Sequence, residues 1–149
     1  MKIKIVSDNQ ETLDLWRESF PPFSGIHFVD SGVYRRGVDI VVLSGMWGFD
    51  RYGGSPSRES AQILPNELND GMPDWVVIPP FLPADETGGD SNPMSPAYYA
   101  VLKSLLKITQ DFGFCLNLAL DLALLGMDDP EDVSTPLSVA RAIERFLVI

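Results

Sequence analysis

Between Val38 and Leu43 the chain reads VDIVVL, a nearly unbroken β-branched run that offers no polar face to water. Such a run is stable as a strand only where both of its faces are covered, as in the middle of a parallel or mixed sheet packed between helices. The stretch SGMWGFDRYGGSPSRES, Ser44 to Ser60, follows at once and carries four glycines, two of them adjacent, so it reads as a loop. A central strand that delivers the chain into a glycine-rich turn is where open α/β sheets place their ligands.

The flanking pattern supplies the rest of such a sheet. Ile3 and Ile5 alternate with Lys2 and Lys4, predicting a strand over 2–6, and a helix follows in which Asp8 and Glu11 have capping-box spacing and Leu13, Trp16 and Phe20 share one face before Pro21-Pro22. Gly25–Val29 reads as a second strand, Ala61–Leu68 as a short helix and Asp74–Pro79 as a fourth strand. Residues 79–97 hold five prolines and Gly88-Gly89, the composition of a lid or mobile loop. Tyr98, Leu102, Leu105, Leu106 and Thr109 then form a helical stripe that Gly113 would close. From Leu116 to Leu124 leucines alternate strictly with Asn117, Ala119, Asp121 and Ala123, a strand period in residues that favour helix. Thr135 and Pro136 suit the start of a last helix with a Leu137, Ala140, Ile143, Leu147 stripe. The expected fold is a single α/β domain over 1–149, a three-layer sandwich with a mixed, largely parallel central sheet flanked by helices.

Charge and composition exclude several functions. The 149 residues hold 11 basic and 21 acidic side chains, and the net charge of −10 opposes nucleic acid and anionic membranes as partners. A small phosphorylated ligand stays compatible, because backbone amides bind phosphate locally whatever the total charge. No apolar run approaches the roughly 20 residues that span a bilayer, and MKIKIVSDN enters a strand pattern without a signal-peptide core, which points to the cytoplasm. One cysteine and one histidine supply neither a disulfide nor a zinc set, so no metal or cofactor is implied.

The segment DIVVLSGMWGFDRYGG resembles the first ligand loop of macrodomains, in which a buried strand reading roughly D-A-I-V-N-A-A-N leads within a few residues to G-G. Asp39 to Gly53-Gly54 keeps that spacing, Met1 to Val33 is similar to the opening of macrodomain variants with this beginning, and Leu120 to Asp128 (LDLALLGMD) takes the place of the last strand and its phosphate loop. The resemblance implies a macrodomain-like fold, a nucleotide-type ligand such as ADP-ribose, and contacts from Gly45, Trp47, Gly48, Arg51, Tyr52, Gly53, Gly54 and Gly126. The family's catalytic letters differ. Met46 stands at the asparagine that orients the distal ribose, Leu43 at the earlier asparagine, Met127 at the threonine and Asp128 at the glycine of the phosphate loop. The adenine-gripping aspartate falls near Gly32, with Asp30 as a shifted substitute. An amide-to-phosphate bond contributes about 1.5–3 kcal/mol, whereas a carboxylate near one phosphate charge costs on the order of 4 kcal/mol, so an inward Asp128 offsets one or two amides.

Three functions follow as expectations: a ligand-binding module without efficient hydrolysis; a hydrolase of ADP-ribosyl linkages with a relocated acid among Asp50, Asp128 and Asp129; or a protein-interaction module using the aromatic loop and the lid. Met46, Trp47, Phe49 and Tyr52 favour a cleft wall or interface over a plain turn. Asp121 would face inward and need a partner, His27 reads as a strand surface residue, Cys115 as a small buried hydrophobe, and the acidic run from Asp128 to Asp132 as a solvated helix start.

Overall fold

The computed structural model describes residues 1–23, 25–81, 95–114 and 116–148. Its strands are β1 (Lys2–Val6), β2 (Ile26–Val29), β3 (Ile40–Val42), β4 (Gln62–Pro65), β5 (Trp75–Ile78) and β6 (Asn117–Asp121), and its helices α1 (Gln10–Ser19), α2 (Gly45–Tyr52), α3 (Pro96–Phe112), α4 (Leu122–Leu125) and α5 (Ser134–Leu147). A 3₁₀ turn, Ser31–Arg36, links β2 to β3.

The six strands form one sheet in the order β2-β1-β6-β3-β5-β4, parallel throughout except for the antiparallel β4–β5 pair. The VDIVVL run is interior as expected: Ile40, Val41 and Val42 are all buried, with β6 on one side and β5 on the other. Ile40 and Val42 join a core with Trp16 of α1, Leu105 of α3 and Ile143 of α5, whereas Val41 turns to the opposite face and packs with Val6, Val76 and Ala119 under α2 and the 3₁₀ turn. The sheet is therefore mixed, mostly parallel, and flanked by helices on both faces.

Two expectations are overturned. Residues 45–52 are helical, so the loop reading of Ser44–Ser60 fails there. Its glycines serve packing and termination rather than irregularity. A Cβ on Gly48 would lie 2.5 Å from Cδ1 of Ile78 and 2.9 Å from Cδ1 of Leu43, so only glycine lets α2 rest this close to the sheet. Gly53 ends the helix at φ 93°, and its N–H reaches the Phe49 carbonyl at 3.1 Å. The expected helix at Ala61–Leu68 is instead β4, because Ile63 contacts one core and Leu64 the other, the two-residue period of a strand. Pro65 is accommodated because β4 lies at the sheet edge.

Smaller corrections concern helix starts. Asn9, not Asp8, caps α1, its Oδ1 accepting from Glu11 N at 3.0 Å, because the Asn9 N–H is turned onto Ser7 Oγ. Asp132, not Thr135, holds the start of α5, which begins at Ser134, so the buried face runs through Val139, Ala140, Ile143 and Phe146 while Leu137 and Leu147 are exposed. The alternation from Leu116 is a strand only to Asp121, whose carboxylate then caps α4 by accepting from Leu124 N at 3.0 Å. α3 closes at Gly113 as the stripe predicts, but it starts at Pro96 behind a Ser95 cap, so the end of the 79–97 stretch read as a lid is helical instead. Most of the proline-rich 79–97 stretch, and Cys115, lie outside the described residues. Among the described residues no helix is long and apolar enough to cross a membrane.

Candidate functional site

Because five strands run parallel, β3, β5 and β6 end on the same side of the sheet, and the helices that follow start there. These starts enclose a cleft of about 500 Å³, within the usual range of roughly 300–1,000 Å³ for small-molecule sites. Ser44 and Gly45 enter from the β3–α2 junction, and Pro79, Pro80 and Phe81 from the end of β5. Ser95, Pro96 and Ala97 belong to the first turn of α3, with Ala100 behind them. Leu125, Gly126 and Met127 follow β6 and α4, and Ser134, Thr135 and Ser138 open α5. None of these described residues carries a charged side chain.

The polar groups in the cleft are hydroxyls and helix-start amides, whose N–H groups have no intrahelical partner. In α2 the first bonds run from Trp47 N and Gly48 N to the Ser44 carbonyl at 3.1 and 2.9 Å, which leaves the Gly45 and Met46 amides ahead of the ladder. Ser95 Oγ accepts from Tyr98 N at 3.2 Å, and among the described residues its hydroxyl hydrogen has no acceptor. The α5 end differs. Asp132 accepts from the Ser134 and Thr135 amides at 3.1 Å each and from both hydroxyls, at 2.8 Å from Ser134 Oγ and 2.5 Å from Thr135 Oγ1. The Thr135 bond, opposed by burial and aided by Ser134, holds the Asp132 carboxyl below the usual range. At this end the helix dipole already faces a negative charge, and the two hydroxyls offer a ligand only their lone pairs.

The residues expected to bind are dispersed. Gly45 and Gly126 line the cleft. The Gly126 and Met127 amides are spent on closing α4, at 3.2 Å to the Ala123 carbonyl and 2.8 Å to that of Leu122. Trp47, Arg51 and Tyr52 surround a separate hollow of about 80 Å³ with Leu43, Met72 and Leu124, and the Arg51 guanidinium lies 5.2 Å from the centre of the Trp47 ring. Tyr52 donates to Asp70 at 2.6 Å, and burial followed by this bond pushes its hydroxyl up to about 12. Gly48 is buried on the sheet-facing side of α2, and Gly53 and Gly54 end the helix. Met46 projects into solvent, 90% exposed, while Leu43 is buried.

The acids also lie apart from the cleft. Asp50 is on the exposed side of α2, Asp129 accepts from Glu131 N at 2.9 Å, and Asp30 caps the 3₁₀ turn at Gly32 N at 2.9 Å. Asp128 accepts from the buried hydroxyl of Ser7 at 2.9 Å, while its other oxygen is buried without a partner among the described residues. Asp121 is 7% exposed and accepts from Tyr34, the partner its position requires. His27 is exposed on β2. No three His, Cys, Asp or Glu among the described residues are placed to hold a metal ion.

Sequence reading missed Phe81, Ser95 and Ser134 as cleft residues, although each neighbours a legible signal: the end of a strand, a Ser-Pro helix start, and the acidic run before α5. The chain matches no family model, and no curated protein is significantly similar to it.

Proposed function

We propose that this chain is a macrodomain-like module that binds a small nucleotide-type ligand, ADP-ribose or a related metabolite, without hydrolysing it efficiently. The observation that carries this reading is the cleft of about 500 Å³ at the carboxyl ends of β3, β5 and β6, where three helices begin. Its hydroxyls and free amides suit sugar and phosphate oxygens, and its apolar walls of proline, leucine, methionine and phenylalanine suit the faces of a base. Asp50, Asp128 and Asp129 are absent from the lining, which supports binding over hydrolysis by a relocated acid.

Isothermal titration with ADP-ribose, NAD and ADP tests the proposal. Saturable one-to-one binding of at least one of them is expected, and no heat from any of the three would overturn it. The alternative, a protein-interaction module, draws on Met46 and Trp47, which are exposed at the start of α2 away from the cleft walls. It gains if all three nucleotides fail while the folded protein is otherwise intact.

A further inference from the structure

Among the described residues the cleft is uncharged along its walls but not at its rim. Phe81, 46% exposed, is one wall, and the guanidinium of Arg58 lies 5.6 Å from the centre of its ring. The two are fixed to each other through the backbone: Phe81 N donates to the Ser57 carbonyl at 3.0 Å. On the other side, Tyr99 Oη of α3 donates to the Arg58 carbonyl at 2.6 Å, which anchors the segment carrying Arg58 beside the α3 start. Arg58 thus stands over the ring of a cleft residue, with no carboxylate within 4 Å among the described residues. At the α5 start, by contrast, Asp132 already holds the Ser134 and Thr135 amides. A ligand with one anionic end therefore meets favourable charge at Phe81 and unfavourable charge at Ser134 and Thr135.

We infer that Arg58, braced on Phe81, recognises the phosphate of a phosphorylated ligand and sets the direction in which that ligand lies. A guanidinium stacked on an aromatic ring keeps its edge N–H groups free for the two-pronged contact with phosphate oxygens that lysine does not reproduce. In a protein of net charge −10 this cation offsets the repulsive field at the one place where the anion must sit. The donor-poor end, with the lone pairs of Ser134 and Thr135, takes hydroxyl or amino groups.

This inference rests on the nucleotide-binding reading of the cleft. The test is titration of the wild type, Arg58→Ala, Arg58→Lys and Phe81→Ala with ADP-ribose and with uncharged adenosine, at low and high salt, each protein first checked by circular dichroism. Arg58→Ala is expected to weaken ADP-ribose by about 10- to 100-fold and to flatten its salt dependence, with adenosine changed less than about twofold. Arg58→Lys recovers part of the loss, and Phe81→Ala falls between. Wild-type affinity for ADP-ribose in folded Arg58→Ala, or an equal loss of adenosine, overturns the role of Arg58 while leaving the cleft reading intact. Failure of the wild type to bind either compound overturns the cleft reading and this inference together.

Discussion

Tyr34 donates its phenolic hydrogen to Asp121, tying the turn after β2 to the end of β6 across the intervening strand β1. Replacing Tyr34 by Phe leaves a buried carboxylate whose one other partner among the described residues is the Leu124 amide, and is expected to cost about 1–3 kcal/mol in urea denaturation. Burial first, then the Asp121 charge and hydrogen bond, raise the folded-state pKa of Tyr34 far above its ordinary 10.0. The folded chain thus keeps a proton that the unfolded chain gives up, so this stability is complete below about pH 10 and declines above it. Wild type should lose stability above about pH 10 more steeply than Tyr34→Phe. A residual slope is expected from Tyr52, raised to about 12. Equal slopes in the two proteins would contradict the assignment.

Gly48→Ala tests the close seating of α2. Alanine improves helix propensity by about 1 kcal/mol, but its methyl group would meet Ile78 at 2.5 Å, and such overpacking costs about 1–3 kcal/mol. Net destabilisation is expected, read as a lower urea midpoint with an unchanged slope. A midpoint at or above wild type would show that α2 moves freely.

Asp132→Ala removes the four bonds that gather the start of α5. A loss of about 0.5–2 kcal/mol is expected at neutral pH. The folded carboxyl is depressed from 3.8, so its contribution is present above that value and lost as pH falls through the folded one. The gap between variant and wild type should therefore close on acidification below about pH 4. A pH-independent gap would point to packing instead.

No appreciable ADP-ribosyl hydrolase activity is expected. Met46 extends into solvent and Leu43 into the core, so neither holds a ribose, and a positioned donor is typically worth a factor of about a hundred to a thousand in rate. The check is an assay on mono-ADP-ribosylated protein beside an active macrodomain at equal concentration. Turnover within about tenfold of that control would contradict the expectation and make Asp50, Asp128 and Asp129 candidate catalysts.

The parts of the fold legible in sequence were those whose apolar pattern and punctuation agree. β1 alternates isoleucine with lysine, β3 and β5 carry compact apolar runs, and α3 has an apolar stripe with a Gly113 stop, whereas its Ser95-Pro96 start was hidden in a proline-rich stretch. α2 was hidden because glycine marks a turn and a close helix–sheet contact with the same letter, and only the position of Ile78 distinguishes them. β4 was hidden because four residues are too few to separate the two periods. The site was less legible for a related reason: its walls come from junctions far apart in sequence. Of the expected residues, Gly45 and Gly126 reach the cleft, whereas Trp47, Arg51 and Tyr52 turn to the opposite face with α2. Nothing local to Arg58 or Phe81 announces that the chain brings them together.

The position of β6 also bears on how the chain assembles. Residues 117–121 insert between β1 and β3, strands that never touch each other. Until that late segment arrives during synthesis, the growing polypeptide holds two half-sheets with open parallel edges and no shared centre. Such edges recruit other chains, and late long-range pairing is slow. A nascent chain stopped before Asn117 should therefore be a chaperone client rather than a folding intermediate, and the cleft comes into being only when the segment from Asn117 onward locks the halves together.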